Sequence, residues 1–509
     1  MRKIHARAVF LLTTSVFSMI ASPVLPATAR QPSPIRDEFF WLGEINKATA
    51  VINTDEGLLD KSLAPKLAAG IAKVIGNGNQ PGGERPRIVI KFEPLLIKAA
   101  GPEVTLLHAG RSSQDMHATY NAAILRDNLL ALAAQQNATA RSLVRLAERN
   151  VGTIVPNYTN GVAAQPNSYA HQLLGHFAGM ERDAQRLREA YARIDRCAMG
   201  TTVLNGTSWP LDRRRMADYL GFAAIVDNAY DASQISSMDE PVEVGQIVVS
   251  MALRAGNFIE DTLTQYAQPR PWILLKEGEG TTYVSSAMPQ KRNPGLLNDT
   301  RRNASTAMTL GMGPAIRMHN ITPGMVDPKS VKDNAEVVNS ALVFLEGWDK
   351  ILNSLVIDPK RALEELNNDW TASQELADVL MRKYKLPFRV GHHFASEVVS
   401  YAKANGIKPL DFPYAEARRI YRKAVRDYDE TGELPLSETE FRTTLDPVAI
   451  VAHRSTVGGP QPAELARMLK AADEKLDAQD AWIKARRTRI DSALDRLDAD
   501  FARLLPSAE

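Results

Sequence analysis

The chain has very little cysteine and almost no net charge. Its one thiol, Cys197, cannot form an internal disulfide, so stability must come from a packed core. The 61 lysine and arginine residues nearly balance the 59 aspartate and glutamate residues, and the net charge of +2 gives no electrostatic sign of nucleic-acid or membrane binding. No internal repeat or low-complexity segment stands out. The 509 residues suffice for a large core, in more than one domain.

The N-terminal segment predicts export. Basic residues precede an apolar run at 8–20, and Ala27-Thr28-Ala29 follows it. The run is too short to span a bilayer, and a buried N-terminal helix is the alternative interpretation. We expect residues 1–29 to be a signal peptide and the mature chain to begin near Arg30. The protein would then be periplasmic or secreted, with no membrane contact after removal of the signal.

Helical periodicity dominates the rest of the chain. Apolar residues recur every three or four positions from Tyr169 to Ile194, and similar patterns cover 242–263, 296–316 and 337–355. Between positions 119 and 370 almost nothing predicts a strand. We therefore expect an all-α fold with an elongated central helix bundle.

The histidines do not indicate a metal site. His171 and His176 share one predicted helix, where we interpret both as structural residues. No Cys/His or His/Glu spacing is typical of metal ligation, so no metal is predicted.

One polar loop concentrates reactive side chains. Ser285 and Ser286 are adjacent, and Lys291 and Asn293 follow before a predicted helix start at Pro294. A helix N-terminus offers free N–H groups and positive potential, and the lysine adds a cation. These groups suit a carboxylate ligand and can lower the pKa of a nearby serine. An ordinary surface turn is the alternative.

The sequence of this loop, Ser-Ser-Ala-Met-Pro-Gln-Lys-Arg-Asn-Pro at 285–294, resembles the signature of the fumarase/aspartase superfamily. The usual form is Gly-Ser-Ser-x-Met-Pro-x-Lys-x-Asn-Pro. Val284 stands where that pattern has glycine, so we expect a stiffer loop.

A second segment narrows the resemblance to the argininosuccinate lyases. Residues 107–115 are similar to the family's Leu-His-Thr-Gly-Arg-Ser-Arg-Asn-Asp. Ser112 and Asp115 match, whereas Ser113 replaces arginine and Gln114 replaces asparagine. Since these family residues hold the succinyl group, some of the contacts to its carboxylates must be made by different side chains here. Ser112 or Ser113 also suits the N-cap of the helix that follows.

A third segment contains one of two linked substitutions relative to the family pattern. Residues 157–166 resemble Tyr-Thr-His-x-Gln-x-Ala-Gln-Pro, with Thr159 and Gln165 in register and Asn160 in place of the histidine. In the family that histidine pairs with a glutamate five residues past the loop asparagine, which is Asn298 here. Neither amide can transfer a proton near neutral pH.

The resemblance covers essentially all of the mature chain. It implies an N-terminal helical domain at 30–115, a central helix-bundle lyase domain at 116–370 and a C-terminal helical domain at 371–509. We predict a solvated amphipathic helix from Ala463 to Leu505. Of the family segment that holds the arginine half of the substrate, only Asn320 clearly fits.

The resemblance implies elimination of an amine or guanidine from an N-substituted aspartate, with release of fumarate and no cofactor. Ser285 would be the base, with Ser286 its neighbour, and Asn160 would occupy the position of the family's acid/base histidine. The implied assembly is a homotetramer whose active sites are shared among subunits. The implied substrate-binding residues are Ser112, Ser113, Gln114, Thr159, Gln165, Lys291, Asn293 and Asn320.

Two other functions stay open. The substitutions at Asn160 and Asn298 favour a catalytically silent, exported homologue that binds a dicarboxylate or serves structurally. Alternatively, the protein is a lyase for an adenylosuccinate-like or other amino-succinate. If it is an enzyme, water, His108 or His171 could supply the proton to the leaving group.

Overall fold

The computed structural model describes residues 35–325, 329–428 and 432–506, and α-helices dominate it. The predicted signal peptide lies outside the described residues. Among the described helices, none combines the length and the hydropathy of a bilayer-spanning segment. The α-helices are α1 (Glu38–Asp55), α2 (Ala64–Gly78), α3 (Val89–Ala100), α4 (Ser113–Glu148), α5 (Tyr169–Ile194), α6 (Arg213–Tyr219), α7 (Ser236–Tyr266), α8 (Gly295–Met318), α9 (Val331–Ser354), α10 (Pro359–Asn368), α11 (Ser373–Tyr384), α12 (Phe388–Asn405), α13 (Tyr414–Ala424), α14 (Glu438–Leu445), α15 (Pro447–Ala452) and α16 (Pro462–Ala502).

Short strands form four two-stranded pairs among the described residues: β1 with β2, β3 with β4, β5 with β8, and β6 with β7. Only the β3–β4 pair is parallel. The strands are β1 (Ile154–Thr159), β2 (Val162–Ser168), β3 (Arg196–Cys197), β4 (Ala224–Ile225), β5 (Ile273–Leu275), β6 (Tyr283–Val284), β7 (Arg292–Asn293) and β8 (Leu355–Ile357).

The long helices α4, α5, α7, α8 and α9 pack against one another, which confirms the all-α fold with a central bundle. Helices α7 and α8 approach each other closely at Gly245 and Gly311, where a Cβ on either glycine would collide with the backbone oxygen of the other. Thr139 on α4 donates its hydroxyl to the Leu345 carbonyl on α9 at 3.1 Å. The predicted bounds of α5 agree with the structure, because its apolar stripe runs along its whole length.

Neighbouring helices run in opposite directions, which gives the bundle two distinct ends. Arg193 near the end of α5 pairs with Glu243 near the start of α7, whereas Tyr169 at the start of α5 contacts Trp272 beyond α7. The β1–β2 and β6–β7 hairpins therefore emerge at one end, called here the hairpin end. The other end, called the α4 end, carries the start of α4 and the end of α8.

A buried arginine ties α4 to the chain that follows α5. Arg126 is fully buried, and its guanidinium donates to Asp195 Oδ1 at 3.0 Å and to the Gly221 carbonyl at 2.9 Å. The guanidinium also lies 4.2 Å from the centre of the Phe222 ring. Because Asp195 follows α5, this network places the C-terminus of α5 beside the first half of α4.

The C-terminal helices form a second core, and the last helix returns to the first. Phe394, Phe412 and Phe441 are buried together within 370–445. The predicted terminal helix is present as α16, but the expectation of a solvated helix is wrong for its apolar face. Leu476 and Ile490 on that face are buried in the main core, because α16 packs against α1, α4 and α5. The predicted domain boundaries stay predictions.

The β1–β2 hairpin corrects the expectation that the central region is almost free of strands. Its register pairs Ile154 with Ser168 and Thr159 with Val162. Asn160 and Gly161 form the tip with φ angles of 51° and 77°. A two-residue turn with both φ angles positive matches the twist of the strands, and Asn-Gly is a strong sequence signal for it. The hairpin is therefore encoded locally by Asn160 and Gly161.

Candidate active site

The signature loop is held by a small hairpin. Strand β6 pairs Tyr283 with Asn293 and Val284 with Arg292, and the Ser285 N–H donates to the Lys291 carbonyl at 3.3 Å. Val284 therefore lies in an extended strand, the conformation that β-branched residues favour. Asn293 Nδ2 donates to the Tyr283 carbonyl at 3.3 Å and braces the same pair.

The hydroxyl of Ser285 accepts two backbone hydrogen bonds. The N–H groups of Ala287 and Met288 lie 3.4 and 3.2 Å from Ser285 Oγ. Donors aimed at an oxygen stabilise its charged form, so this geometry favours a serine that can act as a base. The neighbouring Ser286 is exposed.

Lys291 provides a cation in the same hairpin, where its backbone carbonyl accepts the Ser285 N–H. Lys291 is exposed, and within the described part of the chain its ammonium group has no hydrogen bond or ion pair. Helix α8 begins at Gly295 with Pro294 as its N-cap, one position later than predicted. The Leu296 N–H is already used, because it donates to the Thr281 carbonyl at 3.0 Å. Lys291 is thus the most available group for an anion in this loop.

Sequence reasoning overlooked Arg292, which stands at a variable position of the signature pattern. Its Nε donates to Glu277 Oε2 at 2.8 Å, and its Nη1 donates to the Pro289 carbonyl at 2.7 Å. The arginine therefore ties the loop to the glycine-rich segment that precedes it. Glu277, an acidic residue 15 positions before Arg292, was the sequence feature that indicated a partner for this arginine.

At the α4 end, Ser112 caps helix α4, which confirms one of the predicted roles. Its Oγ accepts the Gln114 N–H at 3.1 Å and donates to the Thr202 carbonyl at 2.9 Å. Asp115 Oδ1 accepts the Ser112 N–H at 2.8 Å and completes a capping box. Since this hydroxyl is already bonded, its part in substrate binding stays a prediction. Ser113 and Gln114 are half-buried in the first helical turn.

Two buried charges anchor this segment. Asp115 also accepts the Gly200 N–H at 3.0 Å, and burial raises the pKa of this carboxyl to about 6. Arg111 donates to Asn46 Oδ1 at 2.8 Å and to Thr49 Oγ1 at 3.1 Å. Burial lowers the pKa of Arg111 to about 10. The segment is therefore fixed to α1 and to the loop after β3.

The third segment lies on the β1–β2 hairpin. Thr159 and Asn160 are exposed at its tip. Gln165 Nε2 donates to Gln374 Oε1 at 2.8 Å, so a side chain of α11 orients this predicted binding residue. Asn298, the other substituted position, lies half-buried in the first turn of α8.

His108, His171 and His176 each already contact another group of the protein. His108 Nε2 lies 2.9 Å from Glu93 Oε1, and His171 Nε2 lies 2.8 Å from the Gly458 carbonyl. The His176 ring meets the Phe258 ring edge-on at 5.2 Å, and burial lowers its pKa. No group of His, Cys, Asp and Glu side chains in the described ranges could hold a metal ion.

The predicted site residues fall into two sets at opposite ends of the bundle. Thr159, Asn160 and Gln165 share the hairpin end with the Ser285 loop, whereas Ser112 to Gln114 and Asn320 lie at the α4 end. The 26 residues of α5 separate the ends by roughly 39 Å at a rise of about 1.5 Å per residue. Among the described residues, no hydrogen bond or ion pair joins the two sets.

Comparison with known proteins places this arrangement in a family. Residues 88–308 match the family described as lyase, and residues 370–452 match the argininosuccinate lyase C-terminal family. Argininosuccinate lyase of Geobacillus kaustophilus (strain HTA426) is 30% identical over 398 residues, covering 76% of this chain and 81% of that protein. The chain belongs to the argininosuccinate lyase family. It is a carbon–nitrogen lyase of the fumarase/aspartase superfamily.

Further similarities extend along the chain. Argininosuccinate lyase of Methanosarcina acetivorans is 27% identical over 464 residues, covering 89% of this chain and 90% of that protein. The structure of an EDDS lyase variant with bound fumarate superposes with a TM-score of 0.82 at 22% identity, covering 92% of each chain. That likeness shows the shared fold.

For a member of the argininosuccinate lyase family, the hairpin end is unusual in its acid/base chemistry. Ser285 and Lys291, which the resemblance implies as base and carboxylate ligand, match the family pattern, whereas Asn160 and Asn298 stand where that pattern has histidine and glutamate. Neither amide can transfer a proton near neutral pH.

Proposed function

We propose that this argininosuccinate lyase family member splits the carbon–nitrogen bond of an N-substituted aspartate and releases fumarate with an amine or guanidine. The observation that carries the proposal is Ser285 Oγ, which accepts two backbone N–H groups beside the uncommitted ammonium of Lys291. Ser285, as the alkoxide that these N–H groups and the lysine cation stabilise, removes the proton next to the substrate carboxylate and becomes a neutral hydroxyl. Lys291 and Asn293 hold that carboxylate as negative charge accumulates on it.

The electron pair from the broken C–H bond passes into the carboxylate and then forms the C=C bond of fumarate as the C–N bond breaks. The substrate carboxylate accepts the charge, so the proposal requires no cofactor. The leaving nitrogen departs with the bonding pair and needs a proton. Because His108 and His171 are held by other partners, we assign that proton to water at the exposed hairpin tip. Asn160 and Asn298 contribute hydrogen bonds only.

We propose that the active protein is a homotetramer with shared active sites. The support is the separation of the two sets of site residues, since one chain cannot bring groups roughly 39 Å apart onto one small substrate. Hybrid assembly tests this. Ser285→Ala and Gln114→Ala variants, each inactive alone, should regain activity when dissociated and reassociated together. Inactive hybrids of proven mixed composition would contradict the proposal.

We also propose that the protein is exported and acts on an external amino-dicarboxylate. The support is the basic, apolar and Ala-x-Ala pattern of residues 1–29. Expression of the full chain followed by N-terminal sequencing of the exported protein should give a start near Arg30. A protein that keeps residues 1–29 and stays in the cytoplasm would contradict this.

The experiment for the reaction is fumarate release, followed by ultraviolet absorbance on the chain from Arg30. The panel contains argininosuccinate, adenylosuccinate and simple N-substituted aspartates. Release from at least one compound supports the proposal and identifies the amine half. A folded tetramer that binds fumarate but releases none from any compound would favour the dicarboxylate-binding alternative.

A further inference from the structure

A cavity of about 400 Å³ lies beneath the β1–β2 hairpin, between α5 and α7. None of the predicted site residues lines it. The base of β1 contributes Asn157 and Tyr158, and Trp272 contributes a ring from the segment after α7. Its volume falls within the usual range of small-molecule sites, about 300 to 1,000 Å³.

Two glycines inside α5 make room for this cavity. Gly175 and Gly179 lie one turn apart on the face that lines it. Glycine in a helix interior costs about 0.5–1 kcal/mol relative to alanine. A Cβ at Gly179 would lie 2.7 Å from Arg254 Nη1, whereas a Cβ at Gly175 would meet nothing within 4 Å. Gly179 thus admits the arginine, and Gly175 leaves the space open.

The two ends of the cavity carry opposite charges. Arg182 and Arg254 line one end, where Arg254 Nε donates to Asp183. In the described part of the chain, Arg182 has no hydrogen bond or ion pair. Asp261 lines the cavity seven residues further along α7, about 10 Å from Arg254 by the helical rise. Asp261 likewise has no hydrogen bond or ion pair with a described residue.

Neutral polar groups lie between the charged ends. Asn257 and His176 line the middle, and Gln172 donates to Asn157 Oδ1 across the cavity wall. Burial is the main cause that lowers the pKa of His176, and the charge of Arg254 lowers it further. The imidazole is therefore uncharged at neutral pH. The cavity therefore offers a cationic end, a neutral polar middle and an anionic end.

We propose that this cavity is a second ligand site, which takes a small zwitterion with a carboxylate at one end and a cationic nitrogen at the other. The carboxylate pairs with Arg182 and Arg254, since guanidinium groups bind carboxylates through two hydrogen bonds. The cationic nitrogen pairs with Asp261. The occupant also contacts β1 next to Thr159, so it steadies the base of the hairpin that carries this predicted substrate-binding residue.

Calorimetric titration of the assembled protein with L-lysine tests the proposal. L-Lysine carries a carboxylate at one end of a short chain and the ε-ammonium group at the other, with an α-ammonium group beside the carboxylate, whereas cadaverine lacks the carboxylate and glutarate lacks any cation. We expect saturable binding of L-lysine and at least tenfold weaker binding of the other two. Arg182→Gln and Asp261→Asn should each weaken L-lysine binding at least tenfold. Absence of L-lysine binding to the folded protein would overturn the proposal.

Matched glycine variants locate the binding. Gly175→Leu fills the open space and should abolish L-lysine binding, while Gly256→Leu should leave it unchanged. Gly256 lies inside α7, outside the cavity lining, and a Cβ there also meets nothing within 4 Å. Ser285→Ala should bind L-lysine normally, which separates this site from the reaction. Unchanged L-lysine binding by Gly175→Leu would overturn the proposal. If Gly175→Leu dissociates the assembly, absence of L-lysine binding to the wild type would overturn it instead.

Discussion

Restoring the family's acid/base pair should raise the rate with substrates whose leaving amine is strongly basic. In the double variant N160H/N298E, the histidine can give a proton and the glutamate can orient it. General acid catalysis typically contributes about 10²- to 10⁴-fold, equivalent to about 3–5 kcal/mol of barrier. We therefore expect a rise of that order in kcat, measured by fumarate absorbance.

The structure indicates that the fold tolerates both changes. Asn160 is exposed with a φ of 51°, a conformation in which histidine is also enriched, although at a cost of about 1 kcal/mol. Glutamate at position 298 lies near the N-terminus of α8, where negative charge contributes about 0.3–1 kcal/mol of stability.

The single variants are the controls, and each should gain less than tenfold because a histidine alone lacks its orienting partner. An unchanged rate in a stable double variant, with activity still dependent on Ser285, would show that positions 160 and 298 do not limit proton transfer to the leaving nitrogen.

Three further changes test the fold around the site. Arg126→Met should lower the unfolding free energy by about 3 kcal/mol in urea denaturation, because it breaks the buried ion pair with Asp195. Asp195 would still have its second ion-pair partner, Arg489. A loss below about 1 kcal/mol would contradict the role of Arg126. Burial raises the folded-state pKa of Asp115 from 3.8 to about 6, so its stabilising contribution is full below pH 3.8 and lost as the pH rises through 6. The stability difference between wild type and Asp115→Asn should therefore fall by up to about 3 kcal/mol over that window, and a difference that rises with pH would contradict it. Gly161→Val should lower activity and destabilise the hairpin by about 1 kcal/mol, because Gly161 has a φ of 77°, and an unchanged melting temperature would argue against strain at the tip.

Local patterns predicted the elements that local physics decides. The apolar stripe from Tyr169 to Ile194 predicted α5, and Ser112, one of the two N-cap candidates, is confirmed at the start of α4. The Asn160-Gly161 turn was equally local, and a search for two-residue hairpin turns would have found it. These features depend only on residues a few positions apart.

Other features depend on partners far along the chain. The apolar face of α16 packs on α4, more than 300 residues earlier, so its periodicity could not distinguish a solvated helix from a covered one. The contact between Gln165 and Gln374 joins residues 209 positions apart. The division of the site residues between two ends follows from helix directions, which no single motif encodes.

The contribution of the Ser285 hydroxyl to the reaction is measured by comparing fumarate release by the wild type with release by Ser285→Ala and Ser286→Ala. Each variant removes one hydroxyl from the same exposed hairpin loop, so both should keep the fold and melting temperature. We expect release by the wild type, loss of at least about 100-fold in Ser285→Ala, and a smaller effect in Ser286→Ala. Wild-type rates in Ser285→Ala would contradict the role of this serine as the base.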